Sequence, residues 1–225
     1  MPPPPGTLPT ELHGRRVVLR PIVASDFPQW RDVRQRNHDW LVPWEPQPPP
    51  GQPDDTESKP AFNARCGARQ REWQLGTGYG FGIFVDDRLV GEMNLSGVQR
   101  GPFQNAYVGY WVDHAHAGKG YVPEALVLAA RFAFQDLRLH RLQVAVIPRN
   151  RASRRVAEKL GLRDEGVAVR YLAINGRWED HIRYAITAEE WADRGDQLVG
   201  EWLVPTGNPT GDQSAPARRA AQRQR

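Results

Sequence analysis

Residues 115–124 read Ala-His-Ala-Gly-Lys-Gly-Tyr-Val-Pro-Glu. Two glycines around a lysine, just ahead of a helical pattern, have the makings of an anion site. Glycines let backbone N–H groups approach a phosphate without side-chain obstruction. A helix N-terminus adds unpaired N–H groups and about half a positive charge from its dipole. A pyrophosphate is the natural guest of such a cradle. Two familiar phosphate loops are excluded by spacing. A dinucleotide fingerprint needs a third glycine and an acidic residue about 20 positions on, and a Walker loop needs Gly-Lys followed by Ser or Thr. Here Gly120 follows Lys119.

The elements that must position this turn are legible on both sides of it. Residues 17–22 read as a strand. Ser25 is placed to cap a helix over 26–37, and a second helix is expected from 57 to 73. Residues 79–85 and 89–98 form a hairpin turning at Asp86-Asp87-Arg88, and 106–112 is a further strand. Val122, Ala125, Leu126, Ala129, Ala130 and Ala133 recur at helical spacing, so 122–137 is an amphipathic helix, with Pro123 in its first turn. A strand follows at 141–147, then a short helix opened by Asn150 and closed by Gly161. Residues 167–174 and 178–186 are strands joined by Asn175-Gly176, a two-residue hairpin signal. The order β-α-α-β-β-β-α-β-α-β-β makes an α/β chain with a mixed sheet.

Composition limits the function classes. The 225 residues suit one domain, over 10–204, with tails at 1–9 and 205–225 and a proline-rich loop at 43–60. Low apolar content predicts disorder in the tails. The net charge of +4 does not describe a nucleic-acid-binding body, because Arg218, Arg219, Arg223 and Arg225 against Asp212 place most of it in the last residues. That tail offers a salt-dependent contact to ribosomal RNA, or is simply solvated. A lone cysteine, Cys66, is neither a disulfide framework nor a metal site, and no run is long and apolar enough for a membrane span. No secretory leader is read at the start, so a cytoplasmic location is expected.

Strand, Gly118-Lys119-Gly120-Tyr121, helix and then HRLQVAVIPRNRASRRVAEKLGL over 140–162 resemble the GNAT superfamily of acyl-CoA N-acyltransferases. LVGEMNLSGV (89–98), YVGYWV (107–112) and EGVAVRYLAINGRWEDHIRYAI (165–186) bring the likeness nearest to the RimJ type, the ribosomal-protein-alanine N-acetyltransferases. The resemblance spans about residues 12–192. It implies the GNAT fold: a mixed, mostly antiparallel sheet splayed at its central strands, with helices on both faces. It implies acetyl-CoA as cosubstrate and no metal. The family's pyrophosphate turn falls on 115–120, so Ala117, Gly118, Lys119, Gly120 and Tyr121 are the expected contacts. Ala115 stands where the family carries Gln or Arg, which removes a side-chain contact and leaves the amides. Tyr110, Trp111 and Val112 hold the strand positions that bond the pantetheine arm, and Asn150 contacts the same arm.

Acyl transfer to an amine also needs a neutral nucleophile, a polarised carbonyl, close approach and a protonated leaving thiolate. A backbone N–H near Val112 is the expected donor to the carbonyl. The tyrosine that many relatives use on the thiolate aligns with Ala157, and Ser153 is the substitute, with a helix cap as its alternative role. The glutamate that many relatives use as base aligns with Tyr107, and a tyrosine hydroxyl near 10 is a poor base. Glu92 is the best remaining carboxylate, unless it is a paired strand residue. Asp113, His114 and His116 flank the cradle and read as an exposed turn. Tyr107, Tyr171 and Asp180 are expected at the acceptor, near Trp178 and His181. Sheet packing is the other reading of the last hairpin, for Trp178 and Tyr184 above all.

The missing base bears on the acceptor. An α-amine titrates near 8 and a lysine near 10.4, so at pH 7 roughly 10% of the former is neutral, against under 0.1% of the latter. The first expectation is therefore acetylation of the N-terminal α-amine of a protein, in preference to lysine, with a ribosomal protein as the acceptor. The second is a small-molecule amine such as an amino sugar, polyamine or antibiotic, met by Glu45, Asp54, Asp55 and Glu57. The third is a module that binds CoA or the ribosome without catalysis. Trp40, Trp44 and Trp202 are candidate contacts between chains.

Overall fold

The computed structural model describes residues 11–47, 51, 56 and 58–204. Both tails, the tail arginines, and Asp54, Asp55 and Glu57 lie outside the described residues. The elements are β1 (Leu12–His13), β2 (Val18–Arg20), α1 (Phe27–Arg36), α2 (His38–Leu41), α3 (Lys59–Leu75), β3 (Tyr79–Val85), β4 (Arg88–Gln99) and β5 (Asn105–Val112). They continue with α4 (Tyr121–Arg131), β6 (Arg141–Val146), α5 (Arg151–Lys159), β7 (Arg163–Ile174), β8 (Arg177–Thr187) and α6 (Ala188–Trp202). Among the described residues, eight strands form one sheet in the order β1-β2-β3-β4-β5-β6-β8-β7. Every neighbouring pair is antiparallel except β5 and β6.

Local chemistry explains where the elements begin. Ser58 accepts from the Ala61 N–H and caps α3, and Gly76 ends it in the left-handed region at φ 68°. Ser25 does not cap α1. It sits in a short 3₁₀ turn, and the Asp26 carboxylate holds that turn by accepting from the Val23 N–H at 2.8 Å and from both Arg20 Nη atoms. The sequence reading passed over α6. Thr187 and Glu190 cap its first turn reciprocally, a Thr-x-x-Glu box that stands in the sequence. β7 also starts at Arg163, four residues before the expected position, because Arg163 and Asp164 pair with β8 ahead of a bulge.

The core has two parts. α4 is buried from Val122 to Ala130 and packs against one sheet face with Met93, Leu95, Ala106, Val108, Leu142 and Val144. A smaller cluster of Phe27, Trp30, Phe62, Phe84 and Leu89 lies under α1 and α3 on the other face. Strand alternation then sends Glu92, Asn94 and Ser96 to the α1/α3 side.

The central strands splay. β5 and β6 pair only through Asn105, Ala106 and Tyr107 with Arg141, Leu142 and Gln143. Beyond that point β5 stays paired to β4 as far as Val112, and β6 stays paired to β8 as far as Val146. The closed end is clamped by Gln143 Nε2 donating to Asn105 Oδ1 at 2.8 Å.

Two buried carboxylates fix the turn at 113–120. Glu124, fully buried, accepts from the Arg16 N–H at 2.5 Å, the Val17 N–H at 3.1 Å and Arg16 Nε at 2.8 Å. Arg16 Nη1 also donates to the Lys119 carbonyl at 3.0 Å. Asp113 accepts from Arg36 at 2.7 Å, Asn37 at 2.8 Å and the Ala115 N–H at 3.2 Å, and His116 lies 3.0 Å away. Asn37 Oδ1 in turn accepts from the His114 N–H at 2.9 Å. Burial alone would raise the Asp113 carboxyl, but Arg36, Asn37 and His116 outweigh it and hold it well below the usual carboxylate range.

Both anchors are testable. Glu124→Ala takes the acceptor from the buried Val17 N–H and the partly buried Arg16 N–H and is expected to destabilise the fold by roughly 3 kcal/mol in urea unfolding at pH 7. A loss below about 0.5 kcal/mol would mean that water replaces the carboxylate. A depressed folded pKa makes the Asp113 contribution complete above the unfolded carboxylate range near 3.9 and lost as pH falls through the folded value. Asp113→Asn should therefore be less stable than the wild type at pH 7, with the gap narrowing as the pH drops below about 4. An equal deficit at pH 7 and pH 3 would refute that assignment.

Candidate active site

The glycine turn leaves β5, passes the 3₁₀ turn at His114–His116 and enters α4. Gly118 and Gly120 have φ of 76° and 85°, the left-handed region in which residues with a Cβ are strained. Gly120 is the N-cap of α4 and no side chain caps the helix, so the first-turn N–H groups remain available to a ligand. A Cβ on Gly118 would meet nothing within 4 Å, so the space in front of it is open. Glu124 in the first turn would oppose an anion, but Arg16 matches its charge at 2.8 Å. The Arg16 guanidinium also lies 5.1 Å from the Tyr121 ring centroid. Lys119 contributes its carbonyl to Arg16, and the Ala117 N–H is taken by the His114 carbonyl.

Of the turn expected to be exposed, His114 is exposed and His116 half-buried, and Asp113 departs from the expectation. Asp113 is buried, His116 bonds it, and the His114 ring packs on Trp40 at 4.5 Å. Trp40 also donates Nε1 to the Val112 carbonyl at 3.2 Å. Trp44 lies under Arg149 and Trp202 packs on the core, so all three tryptophans have contacts within the chain.

The open end of the splay carries a hydroxyl pair. Asn150 Oδ1 accepts from the Ser153 N–H at 3.0 Å and caps α5. Asn150, not Ser153, is therefore the cap. The Ser153 hydroxyl lies 2.7 Å from the Tyr110 hydroxyl, which reaches it from β5. Burial pushes the Tyr110 hydroxyl up to about 12, against a smaller opposing effect of Ser153. Tyr110 thus keeps its proton at any working pH. When it donates to Ser153 Oγ, the serine proton is free for an atom in the splay. Ala157 is fully buried in the core, where a tyrosine would not fit without repacking.

A groove of about 840 Å3 runs along the α1/α3 side of the sheet to this pair. Its wall includes Trp30, Glu92, Tyr107, Trp111, Tyr171 and His181. Glu92 is 2% exposed; Arg65 Nη2 donates to it at 2.6 Å and Trp30 Nε1 at 2.7 Å. Burial would raise its carboxyl, yet Arg65 and Trp30 hold it below its usual value. A carboxylate so held is a fixed anion and a weak base. Burial raises the Tyr171 hydroxyl, and the neighbouring Tyr107 hydroxyl raises it further. Asp180 accepts from the Arg170 N–H at 2.7 Å and so supports an irregularity of its own hairpin. Trp178 is 67% exposed on that hairpin, while Tyr184 is core.

Several of these residues escaped the sequence reading: Arg16, Trp30, Arg36, Asn37, Arg65 and Glu124. Glu124 did leave a signal, as the one acid within an otherwise apolar helical stretch, 122–130. Its partners, more than a hundred residues away, left none.

Residues 16–163 match the family model for the acetyltransferase (GNAT) domain. The chain is 37% identical over 177 residues to the probable N-acetyltransferase YjcK of Bacillus subtilis strain 168, covering 78% of this chain and 96% of that protein. It is 33% identical over 179 residues to the ribosomal protein uS5-alanine N-acetyltransferase of Escherichia coli K12, covering 78% and 90%. Among solved structures it superposes on Mycobacterium smegmatis RimJ in complex with CoA-disulfide with a TM-score of 0.76 at 31% identity, covering 86% and 94%. The chain therefore belongs to the GNAT acetyltransferase family, with RimJ-type enzymes among its near relatives, and is an N-acetyltransferase.

Proposed function

We propose that this enzyme transfers the acetyl group of acetyl-CoA to the N-terminal α-amine of a protein, with ribosomal proteins as the substrate class. One observation carries the reading. The sheet opens between β5 and β6, with a glycine cradle beside the opening and a long groove leading to it from the other face. A phosphate-bearing thioester suits the first end, and an extended chain terminus suits the second. The relative that acts on the alanine of uS5 gives the acceptor class, and the CoA named with RimJ gives the donor.

The pyrophosphate would rest on the amides of Gly118 to Tyr121, and the pantetheine arm along Tyr110, Trp111 and Val112 with Asn150 opposite. The amine nitrogen attacks the thioester carbon, the C–S bond breaks, and Ser153 donates its proton to the sulfur while accepting from Tyr110. The hydroxyl pair at 2.7 Å supports a catalytic protein over a silent binding module. Glu92 anchors the groove wall through Arg65 and Trp30. The small-amine reading is weakened at Glu45, whose carboxylate is engaged by Arg34 at 2.6 and 2.7 Å.

Free-thiol release from acetyl-CoA tests the acceptor. A peptide with a free N-terminal alanine and no lysine should turn over, and a blocked peptide with one lysine should not. The reverse result would sink the reading. Ser153→Ala should lower kcat on the alanine peptide on the order of 10²-fold with CoA affinity unchanged. An unchanged kcat would remove Ser153 from the chemistry.

A further inference from the structure

We infer that His181 takes the proton from the attacking amine. The inference rests on the acetyl-transfer reading above and names the base that reading lacks. The amine nitrogen must shed one proton as its bond to the thioester carbon forms, and the described carboxylates near the groove are engaged. Glu92 is bonded to Arg65 and Trp30, Asp180 accepts from the Arg170 N–H, and Asp113 is buried behind the cradle turn.

His181 has the opposite circumstances. It is 3% exposed yet lines the groove together with Tyr107, Tyr110, Asn150, Ser153 and Tyr171. Its Nδ1 lies 2.9 Å from the Glu179 carbonyl oxygen. A carbonyl only accepts, so Nδ1 carries the hydrogen, and in the neutral ring the lone pair is on Nε2. No described residue hydrogen-bonds Nε2. The ring is held against the Tyr171 ring at 5.7 Å, edge to face. The charged groups around it are Glu179 paired with Arg149, Asp180 on the Arg170 N–H, and Arg183 beside Tyr171.

Sheet geometry puts this base across from the acid. Ile182 pairs with Val146, the last residue of β6, so His181 stands just past it at the open end of the splay. Ile182 belongs to the α4 core, and alternation turns His181 to the groove face. The Tyr110–Ser153 pair closes the same opening from β5 and α5. The N–C bond forms and the C–S bond breaks between them. One proton leaves nitrogen for His181 Nε2 and passes to water; one reaches sulfur from Ser153, which water replenishes.

The test uses the wild type and His181→Asn, because an asparagine amide keeps the donor to the Glu179 carbonyl and supplies no imidazole nitrogen. With the alanine peptide as acceptor, His181→Asn should lose on the order of 10²-fold in kcat at pH 7 while its Tm and CoA affinity stay near wild type. Imidazole should restore activity to His181→Ala in proportion to its unprotonated fraction. Turnover of His181→Asn within about threefold of wild type would overturn the inference. Should the variants not fold, ¹⁵N-histidine spectra of the wild type decide: an Nδ1–H tautomer supports the assignment and an Nε2–H tautomer overturns it. Absence of wild-type turnover on the peptide would instead fall on the acceptor reading.

Discussion

β5 and β6 share a ladder through Asn105, Ala106 and Tyr107 and then diverge, each held by its outer neighbour. Backbone N–H and C=O groups left facing an interior gap need partners, from protein, water or ligand. A sheet that opens in its middle would be a defect in a protein that bound nothing. Here the opening is supported at both ends. Gln143 and Asn105 clamp the closed end, and Tyr110 reaches Ser153 across the open one. The cradle, the groove and the hydroxyl pair all take their positions from this divergence. A strand edge that would otherwise be a liability becomes a surface on which an extended arm can lie.

Keeping an anion site beside that opening places a demand on nearby charges. Two acids, Asp113 and Glu124, sit at the start and end of the glycine turn, where uncompensated they would repel a pyrophosphate. Both are buried and met by arginine, Asp113 by Arg36 and Glu124 by Arg16. Each also accepts a backbone N–H, so the charges are spent on holding the turn. Removing either acid removes a support of the cradle, not a repulsion. The same logic governs Glu92 in the groove: a carboxylate locked between Arg65 and Trp30 fixes the wall and contributes little as a base.

The sequence showed what local spacing controls. The β3–β4 and β7–β8 hairpins, the apolar face of α4, and Asn150 and Gly161 bounding α5 are set by periodicity, by caps and by residues that tolerate positive φ. Asn175 and Gly176 show this directly, with φ of 44° and 76°. The glycine turn that opens α4 was legible for the same reason. Long-range partners were not: Arg36 and Asn37 lie more than seventy residues from Asp113 and carry no spacing that marks them. Ser25 shows the limit of cap rules, since Asp26 beside it took the bonds. α6 shows the reverse, a capping box present in the sequence and passed over.

The polar groups near the groove differ in the partners that each already has. Glu92, Asp180 and His181 all occur on strands near one groove, and by residue type the carboxylates look the better bases. Their hydrogen bonds reverse that order. Glu92 is engaged by donors that stabilise its charged form, and Asp180 accepts from the Arg170 N–H. His181 meets a carbonyl acceptor, which fixes its tautomer and leaves Nε2 without a hydrogen bond among the described residues. A donor spends a lone pair and an acceptor spends a hydrogen, so the same bonding need has opposite effects on basicity. His181 and the Tyr110–Ser153 pair line one groove, so in the proposed reaction both proton transfers face the same opening.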